Sequence, residues 1–453
     1  MAEGTTWPWT ASLGALRCDS KEQRLHEEVI AYVSYITPST QERSAREQVI
    51  ARIVNLTKAR FANSTLATFG STVHDLYLPD GDVDLVMSLP RELDEDTRRR
   101  TLFQLSALLK NALVTQHVTV VLRARVPVIS FETVPELGSF SIDISINATD
   151  GVNGVPVVAN YLRTMPALRY LVMIVKEYLS RLKLNSASNS GLSSYSVILL
   201  AVSFLQRNPK KRPQEDIDNP LPRESLGRLL LDFFEHYGFE FDYEDACVSV
   251  LQRKLLTKEE KNWERPSHPG ALSIECPVNP ENDVGRPTGK INQIQKAFQD
   301  AYVALRDYPF SMAQPNVLGT IVGVAPVTLE RRAHLCELVD SGSLARALRE
   351  VRAPEPPQRG QRNAPFHHNS YSRNHHSRGS SSHYHPYGNQ SAGMAFSPHL
   401  GAHSIGAVYD GPLRYDPAAG AFEPQWTGGT YGPHGAGQSP NGSNRRGKGR
   451  KTK

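Results

Sequence analysis

The composition breaks near Ala353, and that break bounds what the chain can fold. Before it, apolar residues recur at helical and strand spacing. After it come PEPPQRGQRN, HHNSYSRNHHSRGSSSHYHPYGNQ, a Gly- and Pro-rich stretch and a terminal NRRGKGRKTK. With so few aliphatic side chains, residues 346–453 bury too little surface to offset the entropy of ordering, and they read as a disordered tail. Charge divides at the same place. Residues 346–453 hold 14 Lys+Arg against 5 Asp+Glu, a net +9, which leaves residues 1–345 at −4. A polyanion is therefore the expected partner of the tail, with Arg445, Arg446, Lys448, Arg450 and Lys451 as candidate RNA contacts. A solubilising tail is the plainer alternative. The closing RRGKGRKTK also fits a nuclear import signal. The pairs His367–His368 and His375–His376 offer metal ligands, but here they read as low-complexity sequence.

Four cysteines, Cys18, Cys247, Cys276 and Cys336, lie far apart with no CxxC pair. That argues against a zinc ribbon or disulfide framework and for a reducing, intracellular compartment. No apolar run approaches the roughly 18–20 residues of a bilayer span. MAEGTTWPWTASLG lacks the basic and apolar parts of a secretory signal, so residues 1–22 read as a flexible N-terminus.

The remaining sequence forms two modules. In LHEEVIAYVSYI, Val29, Ile30, Val33 and Ile36 share a helical face; Ser39 or Thr40 then caps a second helix, QERSAREQVIARIVNLTKARF. A β-rich stretch comes next: TLATFGS, DVDLVMSL, VTVVLRARVPVISFET and SFSIDISIN, interrupted by the helical EDTRRRTLFQLSALLKNAL. Beyond Gly151 the spacing is mainly helical, enclosing an irregular interval at 252–290. The expected class is α+β: a mixed sheet with flanking helices over 23–150, then a helical module over 151–345 on which the first helix is free to pack.

The chemistry concentrates in Gly70-Ser71 and, eleven residues on from Ser71, Asp82-Val83-Asp84. On a strand Asp82 and Asp84 point to one face and Val83 and Leu85 to the other. Two adjacent carboxylates repel unless a cation lies between them, and hard oxygen ligands suit Mg²⁺. A lone DxD is equally the wet face of a surface strand. Two additions weigh against that. Gly70-Ser71 lets backbone approach a phosphate. SFSIDISIN places Asp143 on a polar face with Ser139, Ser141 and Ser145, where it can complete a three-carboxylate, two-metal site.

That order of a Gly-Ser turn, a DxD and a later strand Asp resembles the polymerase-β-type nucleotidyltransferase superfamily. More closely, FGSTVHDLYLPDGDVDLVM, SIDISINATDGVNG, MPALRYLVMIVKEYLSRLKLN, GLSSYSVILL and NDVGRPTGKINQIQKAF are similar in order and wording to nuclear poly(A) RNA polymerases of the TRAMP type. The likeness runs from about Leu25 to Leu305. It implies a nucleotidyltransferase domain over 23–150 and a helical central domain over 151–345, with a PAP-associated segment at about 223–285. Two departures stand out: Asp80-Gly81-Asp82 where relatives more often have Gly-Ser-Asp, and a short connection from Asn153 to Pro166.

By that resemblance, Asp82, Asp84 and Asp143 hold two Mg²⁺ or Mn²⁺ ions, and ATP is the substrate. Gly70, Ser71, Lys176, Ser194 and Tyr195 would hold phosphates and base, and Asn153 would read the ribose. Asn282 and Asp283 would read the base, an asparagine standing where many uridylyl-adding relatives carry histidine. The second lysine that uridine-preferring relatives have is Ser180 here, with Arg181 and Lys183 nearby. Each has a plainer reading. Lys176 snorkels from a buried helix, Ser194 and Tyr195 are a helix N-cap and a core ring, Asn153 is a turn residue, and PENDVGRP is a turn.

The implied activity is template-independent addition of AMP to RNA 3′ ends, tagging nuclear noncoding RNA for exosome processing or decay, in the nucleus and nucleolus. The implied partners are a zinc-knuckle RNA-binding protein and an RNA helicase, with no membrane. The competing readings are a terminal uridylyltransferase or relaxed-specificity enzyme, and a noncatalytic RNA-binding scaffold on the same fold.

Overall fold

The computed structural model describes residues 7–352 apart from 15–16, 91–92, 125 and 311–315, together with 414–416 and 421–423. A 3-10 turn, Pro8–Leu13, comes first, and its Trp9 is buried edge-on against Tyr32 with ring centroids 4.8 Å apart. The N-terminus expected to be flexible over 1–22 is thus in part packed, because the indole adds a large apolar surface to the helical core.

Helix α1 (Lys21–Ile36) buries Leu25, Val29, Tyr32, Val33 and Ile36, with Ile30 at the margin. Helix α2 (Thr40–Arg60) begins with a capping box. The Ser39 hydroxyl accepts the Glu42 N–H at 3.1 Å, and the Glu42 carboxylate accepts the Ser39 N–H at 2.6 Å. Two orphan donors are thereby satisfied, which sets the turn between α1 and α2.

Next in the chain is a sheet layer: β1 (Thr65–Phe69), a 3-10 turn at Gly70–His74, β2 (Val83–Ser88), α3 (Glu95–Asn111), β3 (Val118–Val121), β4 (Val128–Glu132) and β5 (Ser141–Ile146). The strand order is β1-β2-β5-β4-β3, parallel between β2 and β5 and antiparallel at the other joins. Period-two alternation sends Val83, Leu85, Met87, Ile142 and Ile144 into a core shared with Ala45, Val49 and Ile53 of α2 and Leu102, Leu105 and Leu109 of α3. Asp84 and Asp143 are left on the opposite face.

The helical layer comprises α4 (Thr149–Thr164), α5 (Leu168–Arg181), α6 (Ser194–Arg207), α7 (Gln214–Asp218) and α8 (Leu226–Glu235), which runs into a π-turn at His236–Glu240. Strands β6 (Ala246–Ser249) and β7 (Lys254–Thr257), helix α9 (Lys258–Lys261), strands β8 (Ser273–Cys276) and β9 (Asn279–Asp283), and helix α10 (Ile291–Asp307) complete it. Helix α1 joins α5, α6, α8 and α10 around Phe233, Phe234, Tyr237 and Phe298.

Three expectations are corrected by the fold. The interval 252–290 is not irregular, since β7, β8 and β9 join β6 in a sheet of order β7-β6-β8-β9. Strands of four or five residues are too short to display alternation, and their register is set by distant pairing. The stretch around Asn153 is no loop but the first turns of α4; its two glycines and Pro156 mask the helical spacing. Finally, α11 (Pro326–Asp340) and α12 (Ser343–Glu350) carry folded structure past residue 346 and return to the sheet layer. Leu335, Leu338, Leu344 and Val351 are buried in the same core as β2 and β5, so α12 and the second half of α11 pack on that layer, while Leu329 near the start of α11 packs against the helical core.

The chain divides into two compact units, Met1–Ala364 and Pro365–Lys453. In the second, β10 (Arg414–Asp416) and β11 (Ala421–Glu423) pair antiparallel, Tyr415 opposite Phe422, within the stretch expected to be disordered. Arg445, Arg446, Lys448, Arg450 and Lys451 lie outside the described residues. No helix among the described residues is long and apolar enough to cross a membrane.

Candidate active site

Strand register builds the acid cluster. Asp84 of β2 is paired with Asp143 of β5 on one side and with Phe69 of β1 on the other, while Asp143 also pairs with Ser130 of β4. Asp82 stands just before β2. Each of Asp82, Asp84 and Asp143 offers a carboxylate oxygen within 4.8 Å of the others. Asp82 is exposed and the other two are half-buried.

Such proximity is electrostatically unfavourable by itself. Burial, then repulsion from Asp82 and Asp143, pushes the Asp84 carboxyl up to about 7 against the pull of Lys176 and Arg46. Asp143 is also raised, by burial first and by Asp82, while the Ser130 hydroxyl draws it down. Lys176 of α5 is buried, and its Nζ donates to the Leu76 carbonyl. Burial lowers its ammonium to about 8, and the charges of Asp82 and Asp84 oppose the shift. Lys176 therefore neither snorkels to solvent nor lacks an anion; it faces the acids.

Gly70 follows β1 with φ +68°, and a Cβ there would stand 2.8 Å from Asp84 Oδ2. Glycine is demanded twice, by the left-handed backbone and by the space. Ser71, next in the 3-10 turn, accepts the Leu76 N–H on its carbonyl at 3.0 Å, which closes the turn beneath the acids. Arg169 donates to the His74 and Asp75 carbonyls, each at 2.8 Å. Arg46 donates to those of Gly81 and Asp82. With Lys176 on Leu76, three cations thus hold the loop between Gly-Ser and DxD. Oxygen-only donors at this separation, with Asp84 and Asp143 both raised by burial and by neighbouring carboxylates, fit a divalent-cation site.

The second cluster forms around α4 and α6. Ser193, not Ser194, caps α6, accepting the Ser196 N–H at 3.0 Å; Ser194 is the first helical residue and is half-exposed. Tyr195 reaches α4, where a Cβ on Gly154 would lie 3.5 Å from its hydroxyl. Burial, then Cys276, raises that phenol well above the ordinary value. Asn153 is exposed on α4, next to Gly154. The β8–β9 hairpin closes the group: Asn279 Nδ2 donates to Asp150 at 3.3 Å, and Ser196 Oγ to the Val284 carbonyl at 3.4 Å. Asn282 is half-buried on β9. Asp283 is placed differently from a nucleotide contact. Its carboxylate accepts the Ile274 and Gly285 N–H groups at 3.0 and 2.9 Å and pairs with Arg265 at 2.7 Å, so it braces the turn after Asn282. The two clusters meet where Gly151 of α4 packs on Phe69, with 2.6 Å between a would-be Cβ and the ring.

Sequence reasoning missed Arg46, Arg169, Arg265 and Asp150. Only Arg46 left a sign: it sits at i−3 and i−7 from Val49 and Ile53, a basic residue on the apolar stripe of α2.

A mixed sheet with three converging acids, a Gly-Ser turn beside them and a helical layer across from it defines the polymerase-β-type nucleotidyltransferase architecture. Two family models match, "Poly(A) RNA polymerase, mitochondrial-like, central palm domain" over residues 25–163 and "Cid1 family poly A polymerase" over 225–282. Poly(A) RNA polymerase CID14 of Cryptococcus neoformans is 31% identical over 364 residues, 75% of this chain and 47% of that protein. The inactive non-canonical poly(A) RNA polymerase protein Trf4-2 of Drosophila melanogaster is 30% identical, over 68% of this chain and 75% of that protein. Among solved structures, the polymerase core of TRAMP, an RNA surveillance complex, is 30% identical with a TM-score of 0.62, covering 70% of this chain and 99% of that one. The chain belongs to the family of TRAMP-type poly(A) RNA polymerases. It spans about half the length of CID14 and of several other curated relatives.

Proposed function

We propose that this chain is a template-independent RNA nucleotidyltransferase that adds AMP from ATP to RNA 3′ ends. The observation that carries the reading is the convergence of Asp82, Asp84 and Asp143 within 4.8 Å, beside a glycine with no room for a side chain. Those three carboxylates would hold two Mg²⁺ or Mn²⁺ ions, which supply charge neutralisation of the triphosphate and a lowered pKa for the attacking hydroxyl.

The remaining work falls to the protein's own groups. Gly70 and Ser71 bring backbone up to the phosphates, and Lys176 sets a positive charge behind the acids. Ser194 at the start of α6 offers a hydroxyl at a helix N-terminus, where negative charge is favoured. Tyr195 offers a ring face to the base, Asn153 an amide to the ribose, and Asn282 an amide that matches adenine's donor–acceptor edge. Asp283 acts through the turn it braces. Positioning of this kind is the main protein contribution to phosphoryl-group chemistry.

In the cell, we place this activity in the nucleus and nucleolus, tagging noncoding RNA for exosome processing or decay beside a zinc-knuckle RNA-binding protein and an RNA helicase. The basic tail residues Arg445 to Lys451 supply phosphate contacts in this reading. One observation favours a second reading, a noncatalytic scaffold: a relative matched over 75% of its own length is named inactive.

The test is extension of a short RNA with a free 3′ end by the purified full chain, with Mg²⁺ or Mn²⁺ and each nucleoside triphosphate separately. Long products with ATP that vanish in Asp84→Ala support the proposal. Long products with UTP alone make it a uridylyltransferase. RNA binding with no extension under either metal makes it the scaffold.

A further inference from the structure

Arg46 lies outside every residue that the motifs single out, yet its guanidinium touches all three segments that build the acid cluster. Nη2 donates to the Gly81 carbonyl at 2.8 Å and Nη1 to the Asp82 carbonyl at 3.2 Å, with Thr72 Oγ1 at 3.5 Å. Its Cζ stands 4.0 Å from the Tyr77 ring centroid and 5.3 Å from that of Phe140. Gly81 and Asp82 form the approach to the first acid. Thr72 belongs to the Gly-Ser turn, and Phe140 immediately precedes the strand of Asp143.

The need for such a group comes from register. Asp84 and Asp143 are fixed by strand pairing on both sides, but Asp82 precedes β2 and falls outside the ladder. Its peptide planes therefore require another anchor, and a planar fork with several fixed donors meets two successive carbonyls in a way an ammonium cannot. Arg46 is only 4% exposed. Taking a guanidinium out of water is costly, and an apolar residue would fill the same volume at no such cost. The arginine's donors are therefore the reason for its place.

We infer that Arg46 is a positioning residue for the metal site, holding the Asp82 backbone and the Gly-Ser turn in register with Asp84 and Asp143. The inference rests on the metal-site reading above. The contacts of Arg46 are with the Gly81 and Asp82 carbonyls, Thr72 and two rings, so its action on the site runs through the Asp82 backbone. Lysine at this position keeps the charge and the aliphatic stem but not the two-carbonyl bridge. Methionine keeps only the bulk.

The experiment uses the full chain unaltered and as Arg46→Lys and Arg46→Met. Thermal melting is followed in EDTA and then against rising Mn²⁺, and extension kinetics are measured at limiting and saturating Mn²⁺. The Mn²⁺ concentration giving half the maximal thermal shift is expected to rise about tenfold or more in both variants. The rate at limiting Mn²⁺ should fall in step, while KM for ATP at saturating Mn²⁺ stays within about threefold. Arg46→Lys decides the matter alone should Arg46→Met fail to fold. A lower melting temperature with the Mn²⁺ midpoint unmoved reduces Arg46 to packing and overturns the inference. Absence of any Mn²⁺ shift in the unaltered chain overturns the metal-site reading itself, a distinguishable failure.

Discussion

A Cβ on Gly70 would stand 2.8 Å from Oδ2 of Asp84, so the turn and the acid touch with no space for a side chain between them. Gly70→Ala therefore has two costs: a left-handed backbone that alanine resists by about 1 kcal/mol, and displacement of the Asp84 carboxylate. Extension is expected to drop about 100-fold, since misplacement by an ångström has that effect, while the melting temperature falls only a few degrees. Near-normal extension by Gly70→Ala would remove the turn from the site.

Asp84 predicts a pH dependence. Its folded-state pKa of about 7 lies above the ordinary unfolded value, so stability from this group is full at acid pH, declines as pH rises between about 4 and 7, and stays lost above. In EDTA, Asp84→Asn lacks that slope and should be more stable than the unaltered chain at pH 8, by about 2–4 kcal/mol. Divalent cation should stabilise the unaltered chain and leave the variant unmoved. Melts at pH 5 and pH 8, with and without Mg²⁺, check both signs.

Nucleotide choice is expected to depend on Asn282. Replacing its amide with imidazole, Asn282→His, removes one match to adenine's edge, an interaction class that discriminates by about 1–3 kcal/mol. The ratio of ATP to UTP kcat/KM should fall accordingly, with the sum of activities retained. An unchanged ratio would move base reading to another residue.

Two truncations separate the fold from the tail. A chain ending at 352 keeps Leu335, Leu338, Leu344 and Val351 in the sheet-layer core and should melt with the full chain. One ending at 325 loses all four, each worth about 1.5–3 kcal/mol of burial, together comparable to a domain's net stability. It should not fold cooperatively. If the tail binds RNA, the chain ending at 352 will also show a shallower salt dependence, by about 0.7 in log–log slope for each phosphate no longer neutralised.

Much of the site was legible because its acids sit on strands whose alternation is plain. DVDLVMSL and SFSIDISIN each show one polar and one apolar face, and the register of β2 against β5 then sets Asp84 against Asp143. Lys176 was legible as a basic residue in an apolar helix. What was not legible depends on distant chain. Arg46 acquires its role only when the loop through Tyr77 and Gly81 folds back over α2. Asp283 reads as a base contact until Arg265 and the Ile274 and Gly285 amides are seen to occupy it. The small sheet of β6 to β9 is hidden by strand brevity, and α4 by its glycines, of which Gly151 is required by close packing against Phe69.

The return of α11 and α12 has a consequence for biosynthesis. Leu344 and Val351 complete a core that Ala45 begins, so a ribosome must have released nearly all of the folded sequence before α2 receives the cover of α11 and α12. Nascent chains halted within the central helices would leave that side of α2 bare to solvent.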